Sequence, residues 1–161
     1  MPLIPDAVDY AILAVLQAEG RIPIVELSKR VHLSATPCTL RIRALEQDGL
    51  ICGYHAVLDA KALGRALLVF VQVKLKATDE ATLAAFKAAI TPVEQVLECH
   101  MVGGGFDFLL KLRVADMQEY RDILGGMIGA LPMVENTHSY FVMEEVKETH
   151  MLPLPKPQKR R

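Results

Sequence analysis

The chain has 161 residues, 52% of them hydrophobic and 23% charged, with a formal net charge of −1. Such a composition can build a buried core and excludes wholesale disorder, while the lack of any uncharged apolar run of about 18 residues excludes a membrane-spanning helix. The N-terminus MPLIPDAVDY has neither the basic nor the apolar region of a secretory leader, and Cys38, Cys52 and Cys99 are odd in number and lack Cys-x-x-Cys spacing. We therefore expect a cytoplasmic protein with reduced thiols. The near-neutral total hides an asymmetry. Residues 21–43 carry Arg21, Lys29, Arg30, Arg41 and Arg43 against Glu26 alone, and the last six residues, KPQKRR, form a second basic cluster. A local basic patch on a neutral protein suggests a docking surface for an anion, nucleic acid first; a solvated helix face is the plainer alternative.

In chain order, Ala7–Glu19 reads as helix 1, with a broad apolar stripe, Asp6 as N-cap and Gly20 as stop. PIVELSKRV (23–31) predicts a short helix 2 with Lys29 and Arg30 outward. After the break HLSAT, PCTLRIRALEQDG predicts helix 3, with Pro37 in its first turn, Ser34 or Thr36 as cap and Gly49 at its end. LICGYHAVLD (50–59) alternates like a small strand or wing, and KALGRA (61–66) is a connector. From there the order is strand (67–76), helix (79–90), strand (93–102), a GGG loop, strand (106–114), helix (116–131) with Asp116 as its cap, and strand (134–147). That β-α-β-β-α-β order is the ferredoxin-like split pattern. The fold class is α+β, with residues 1–59 as an N-terminal winged helix-turn-helix, 60–66 as linker and 67–148 as the βαββαβ unit. Residues 149–161 form a Pro-rich basic tail expected to be extended or disordered.

Two short helices joined by a tight turn describe a helix-turn-helix, whose second helix lies in the DNA major groove. With Cys38, Ile42 and Leu45 as the buried stripe, Thr36, Thr39, Leu40, Arg43 and Gln47 point outward. Arg43 is the best base reader, with Thr36 and Thr39 as shorter partners. Lys29, Arg30 and Ser34 read as phosphate contacts, and Pro37 lies in the same DNA-facing set. Arg41 sits on the flank, able to reach phosphate or to pair with Glu46 or Asp48.

MVGGGFDF (101–108) is the other singular stretch. Phosphate-cradling loops open into a helix, whereas this one lies between strands. A β-turn would be satisfied by two glycines; three in a row suggest backbone left bare for a ligand. Catalytic or metal chemistry finds no support: Cys99 and His100 alternate across a strand, as do Glu144 and Glu145. His32, His55, His100, His138 and His150 lack metal-ligand spacing, although His100 and His138 could meet across neighbouring strands. We expect no catalytic residues, no metal and no cofactor. Finally, the apolar strands LLVFVQV and DFLLKLRV would leave one sheet face uncovered, which a second copy of the chain could bury.

VELSKRVHLSATPCTLRIRALEQDGLICGYHAVLD, with ECHMVGGGFDFLLKLRV and YFVMEEVK, resembles the leucine-responsive/asparagine-responsive (Lrp/AsnC, feast-famine) family of prokaryotic transcriptional regulators over residues 6–148. One departure is His32, at the turn position where the family usually has Gly; histidine tolerates positive φ well enough to keep the turn. The resemblance implies a homodimer, commonly assembled to octamers, on pseudo-palindromic double-stranded DNA. It also implies a small-molecule effector, most often an amino acid, held between the effector domains of adjacent dimers. The matching positions are Val102, Gly103, Gly104, Gly105 and Asp107 in the loop, Met117 at the second helix, and Thr137, Ser139, Tyr140, Phe141 and Val142 in the last strand. Backbone N–H groups would hold the effector's α-carboxylate and Asp107 its α-ammonium. Alternative readings are an architectural DNA-binding protein of low sequence specificity without a working effector site, or a small-molecule module whose N-terminal helices make protein contacts.

Overall fold

In the computed structural model, which describes residues 4–155, the elements run α1 (Ala7–Ala18), α2 (Ile24–Arg30), α3 (Ala35–Gln47), β1 (Leu67–Leu75), α4 (Glu80–Ile90), β2 (Val96–Met101), β3 (Phe108–Val114), α5 (Met117–Ile123) and β4 (Val134–Phe141). They group into two compact units, residues 4–57 with 147–155 and residues 58–146. The described part of the tail thus belongs with the helical unit rather than standing apart, because its backbone is held by a side chain of α1. The basic end of the tail, 156–161, lies outside the described residues.

The helical unit closes on Ile12, Leu27, Val31, Cys38 and Leu45. Helix α1 starts where Asp6 Oδ1 accepts the N–H groups of Val8 and Asp9, while Asp9 Oδ2 accepts the N–H of Asp6 at 2.9 Å. This reciprocal box satisfies donors that the first helical turn leaves without partners. Burial of Cys38 in the core raises its thiol pKa and keeps it a small apolar filler. The expected wing strand over 50–59 is absent. Residues 52–59 form neither helix nor strand, because no second strand of the unit lies alongside to take a ladder. Asp59 instead opens a tight turn, accepting the N–H groups of Lys61 and Ala62.

The second unit is a four-stranded antiparallel sheet in the order β2-β3-β1-β4. Alternation divides β1 cleanly: Val69, Val71, Val73 and Leu75 are buried with Phe108, Leu110, Leu112 and Val114 of β3 against Phe86, Ile90, Tyr120 and Ile123 of the helices. The Phe86 and Phe108 rings lie 4.5 Å apart at 36°. The order separates His100 on edge strand β2 from His138 on edge strand β4 by two strands, so they do not meet. The opposite face is less apolar than strands LLVFVQV and DFLLKLRV suggest. Phe70, Leu109 and Tyr140 share it with Gln72, Lys111 and Arg113, and Glu98 takes Lys111 at 3.1 Å while Glu145 takes Arg113.

Strands and helices are shorter than predicted in two places. β4 ends at Phe141; the Val142 N–H still reaches the Leu68 carbonyl, but β1 itself starts at Leu67, so no residue of β1 is left to pair with EEVK. Helix α5 gives way at Leu124–Ile128 to a π-type turn, closed by the Gly129 N–H on the Leu124 carbonyl; Gly125 and Gly126 lie in this wider turn. Replacing the fully buried Phe86 by Ala is expected to lower the unfolding free energy by about 3–5 kcal/mol in urea titrations.

Candidate functional site

The turn between α2 and α3 is built by hydrogen bonds that need one residue at positive φ. The N–H of Leu33 reaches the Ser28 carbonyl at 2.8 Å and the N–H of His32 reaches the Lys29 carbonyl at 3.2 Å, with His32 at φ 55°. The same pair of bonds ends α3, where Leu50 reaches Leu45 and Gly49 reaches Glu46, with Gly49 at φ 72°. Both are Schellman caps. His32 therefore does the geometric work that glycine does at the end of α3, as its place in the turn implies.

Helix α3 presents its residues in two sectors. Cys38 and Leu45 are buried and Ile42 half-buried, whereas Thr36, Leu40, Arg43 and Gln47 are exposed. These four are spaced by three and four residues and form one stripe. Leu40 is 59% exposed, an apolar side chain left in solvent between Thr36 and Arg43. Thr39 sits to the side, half-buried, and donates its hydroxyl to the Ala35 carbonyl at 2.9 Å. Ser34 occupies the N-cap position but makes no side-chain cap bond, and Pro37 lies in the first turn. Lys29 and Arg43 have no ion-pair partner among the described residues.

Two of the basic residues are engaged by α1 and α2. Arg41 Nη1 donates to Asp9 Oδ1 at 2.7 Å and to Asp6 Oδ2 at 2.9 Å, so its acidic partners are on α1 rather than Glu46 or Asp48. Arg30 donates through its guanidinium to Glu19 and lies 3.7 Å from Glu26. The Asp9 side chain is only 5% exposed, which makes Arg41 the cation that compensates a buried carboxylate. Asp6 is held below the ordinary carboxylate range, first by the Asp9 N–H and then by Arg41. Sequence reasoning saw the basic cluster but not which of its members the fold neutralises.

In the second unit the glycine loop spans the β2–β3 turn. Val102 donates to the Asp107 carbonyl and Asp107 donates to the Val73 carbonyl, each at 3.0 Å. Between them, the N–H groups of Gly103, Gly104, Gly105 and Phe106 have no acceptor among the described residues. Gly104 alone takes positive φ, at 152°, and a Cβ at any of the three glycines would meet open space. The Asp107 carboxylate is already engaged, accepting from the Leu75 N–H at 2.7 Å and lying 3.4 Å from Lys74 Nζ. An open concavity of ≈ 510 Å³ lies beside the loop, between Gly105–Phe106, Gln72 and Lys74 of β1, and Asn136 and His138 of β4. Lys74, Asn136 and His138 carry no sequence motif, and only the strand register brings them to the loop.

The remaining residues matched to the effector site lie along β4. Thr137 and Ser139 are in register with Val73 and Val71, on the helix side, and Phe141 with Val69. Tyr120 donates its hydroxyl to Ser139 Oγ, and its ring meets Phe141 edge-on at 5.0 Å. Tyr140 is exposed on the other face; Met117 is exposed at the start of α5, and Val142 is half-buried, its N–H on the Leu68 carbonyl. Thr137 lies near the glycine-loop end of the sheet and Phe141 near the other end, about 13 Å further along the strand. One chain thus gathers the matched positions at two ends of one sheet.

A helix-turn-helix with an exposed polar stripe, joined in one chain to a ferredoxin-like domain with a bare glycine loop, defines a DNA-binding regulator with a ligand-binding domain. The family models agree in both halves: a winged helix-turn-helix DNA-binding domain matches residues 5–51 and the Lrp/AsnC ligand binding domain matches residues 68–152. The leucine-responsive regulatory protein of Haemophilus influenzae is 48% identical over 149 residues, 92% of this chain and 90% of that protein. The proline dehydrogenase transcriptional activator of Rhizobium radiobacter is 45% identical over 144 residues, 89% of this chain and 92% of that one. Among solved structures, a Neisseria meningitidis transcriptional regulator in complex with L-Met superposes with a TM-score of 0.90 at 33% identity, covering 93% of this chain and 97% of that one. The chain belongs to the Lrp/AsnC family and is a transcriptional regulator.

Because Asp9 is buried, Arg41→Met is expected to lower the stability of the helical unit by about 2 kcal/mol at neutral pH. The folded pKa of Asp6 is lowered, so the stability it contributes is complete above its unfolded value of about 3.9 and fades as pH falls through the folded one. Chemical denaturation should therefore show the part of the gap that comes from the Arg41–Asp6 pair narrowing below about pH 4.

Proposed function

We propose that this regulator reads double-stranded DNA with the stripe Thr36, Leu40, Arg43 and Gln47, Arg43 donating to a guanine edge and Leu40 meeting a thymine methyl. The observation that carries this reading is the division of labour on α3: Arg41 is neutralised by α1, while Arg43 stands exposed beside an exposed leucine. Lys29, Ser34 and the amides at the start of α3, with Pro37 beside them, position the backbone; Thr39 and Arg30 play a supporting part, since their polar groups already serve the fold. The protein acts as a homodimer, assembling further to octamers, and two-fold symmetry makes its sites pseudo-palindromic. It works in the cytoplasm by binding rather than catalysis.

The effector is an amino acid. Four unpaired N–H groups from Gly103 to Phe106 suit its α-carboxylate, and the free lone pairs of Asp107 suit its ammonium. Met117, Tyr140, Phe141 and Val142, at the far end of the sheet, would come to that loop from a neighbouring copy, with Thr137 and Ser139 supporting β4. Val102 closes the hairpin. The L-Met complex of the Neisseria meningitidis regulator and the names of the Haemophilus influenzae and Rhizobium radiobacter relatives support the class of ligand.

Arg43→Ala should cost about 1–3 kcal/mol on a selected site and little on unrelated duplex, measured by fluorescence anisotropy; equal loss on both would reduce Arg43 to a phosphate contact. In a thermal-shift screen of the twenty amino acids, a ligand at 100 times its Kd should add about 2.7 kcal/mol, and Asp107→Asn should abolish the hit. A screen with no hit would remove the amino-acid reading.

A further inference from the structure

The Asp107 carboxylate, the counter-charge proposed for an effector's ammonium, already has a cation beside it. Its Oδ2 accepts the Leu75 N–H at 2.7 Å, and Lys74 Nζ lies 3.4 Å from Oδ1. Charge-assisted N–H···O bonds ordinarily close to about 2.7–2.9 Å, so the backbone holds Oδ2 firmly while the lysine holds Oδ1 loosely. The lysine is partly exposed and the carboxylate largely covered. An ammonium brought to Oδ1 would meet Lys74 there, and two like charges around one oxygen repel.

A second carboxylate lines the same concavity. β1 and β4 lose their one-to-one register between Lys74 and Leu75: Lys74 faces Asn136 and Leu75 faces Val134, so Glu135 is the extra residue of a β-bulge. In unbroken register Glu135 would stand opposite Leu75, on the buried side of the sheet. The bulge re-aims it. Glu135 instead borders the ≈ 510 Å³ concavity with Lys74, Gln72, Gly105 and His138. It is exposed and has no ion-pair partner among the described residues. The flexible four-carbon stem of a lysine lets its ammonium pivot between neighbouring carboxylates.

We infer, resting on the amino-acid reading above, that Lys74 is a resident counter-ion that sets effector affinity. It stands at Asp107 while the site is empty and moves to Glu135 when a ligand's ammonium takes its place. The exchange opposes binding at the ammonium end alone, because the N–H groups of the glycine loop, which suit the carboxylate, take no part in it. Glu135 eases the exchange by receiving the displaced cation. Lys74 thereby disfavours weak ammonium ligands and narrows the set of amino acids that the site accepts.

The test is calorimetric titration of the full chain with the twenty amino acids, each that binds being paired with the same acid lacking its amino group (for L-leucine, isocaproate). Lys74→Met should bind the amino acid tighter, by up to about fivefold, the ceiling for a partly exposed ion pair, and the des-amino acid no tighter. Lys74→Arg keeps the charge and should give no gain. Glu135→Gln should weaken amino-acid binding, and should lose that effect when combined with Lys74→Met, because no cation is then displaced. Binding that appears only in Lys74→Met would also support the exchange. Unchanged or weaker amino-acid binding in Lys74→Met, or equal tightening for both members of a pair, would overturn it. A Glu135→Gln effect that persists in the double variant would overturn the part given to Glu135. No binding in either the parent or Lys74→Met would remove the amino-acid reading and this inference with it, whereas binding by the parent without a gain in Lys74→Met removes this inference alone.

Discussion

Arg41 joined to the two carboxylates of α1 is the interaction on which the reading surface rests. It ties the middle of α3 to the start of α1, and it does so through Asp9, a carboxylate that is nearly buried and that also closes the α1 capping box. Arg41 and Arg43 are separated by about 200° around a helix, so fixing one on the α1 side turns the other to solvent. A helix-turn-helix of this size has few buried side chains to define its rotation. A charged bond of this kind does so with one residue, and a generic pair of helices with wet arginines would have no reason to sort them in this way.

The second unit depends on strand order in the same manner. β1 lies between β3 and β4, and its alternation gives one face to the helices and leaves the other mixed. The β2–β3 hairpin then falls at one end of the sheet, where the Asp107 carboxylate caps the Leu75 N–H at the end of β1 and holds the loop against it. The loop's own N–H groups are left over. A turn built only to reverse the chain would not need three consecutive glycines with nothing near their Cβ positions. The openness of that backbone, and the location of Met117 and Phe141 at the opposite end of the sheet, are the observations on which the proposed site between copies rests.

Most of this was legible in the sequence because it is local. Apolar periodicity placed the helices and strands while overrunning the ends of α5 and β4, Asp6 and Asp116 announced their caps, Gly49 marked a helix end, and the family resemblance put His32 at a turn position that suits positive φ, found at 55°. What was not legible depends on distant partners. Asp6 and Asp9 lie 35 and 32 residues from Arg41, and Leu152 lies 135 residues from Gln17. The missing wing, the early end of β4 and the separation of His100 from His138 all follow from which strands lie side by side, a fact that no single segment encodes. The π-type turn after α5 was hidden by a helix-like apolar pattern in which Gly125 and Gly126 were the one hint. For the site, the glycine loop was visible as a motif, whereas the engagement of Asp107 with Leu75 and Lys74 required the register.

The proposed reading helix and ligand loop, carried by one chain, act as one device. The most direct measurement is the dissociation constant for a selected duplex with and without the amino acid that binds, at fixed salt and protein assembly state. Coupling of the usual size, about 1–3 kcal/mol, predicts a change of about 5- to 150-fold in DNA affinity at saturating ligand. An unchanged constant, with the ligand demonstrably bound, would mean that the loop and the reading helix are not coupled.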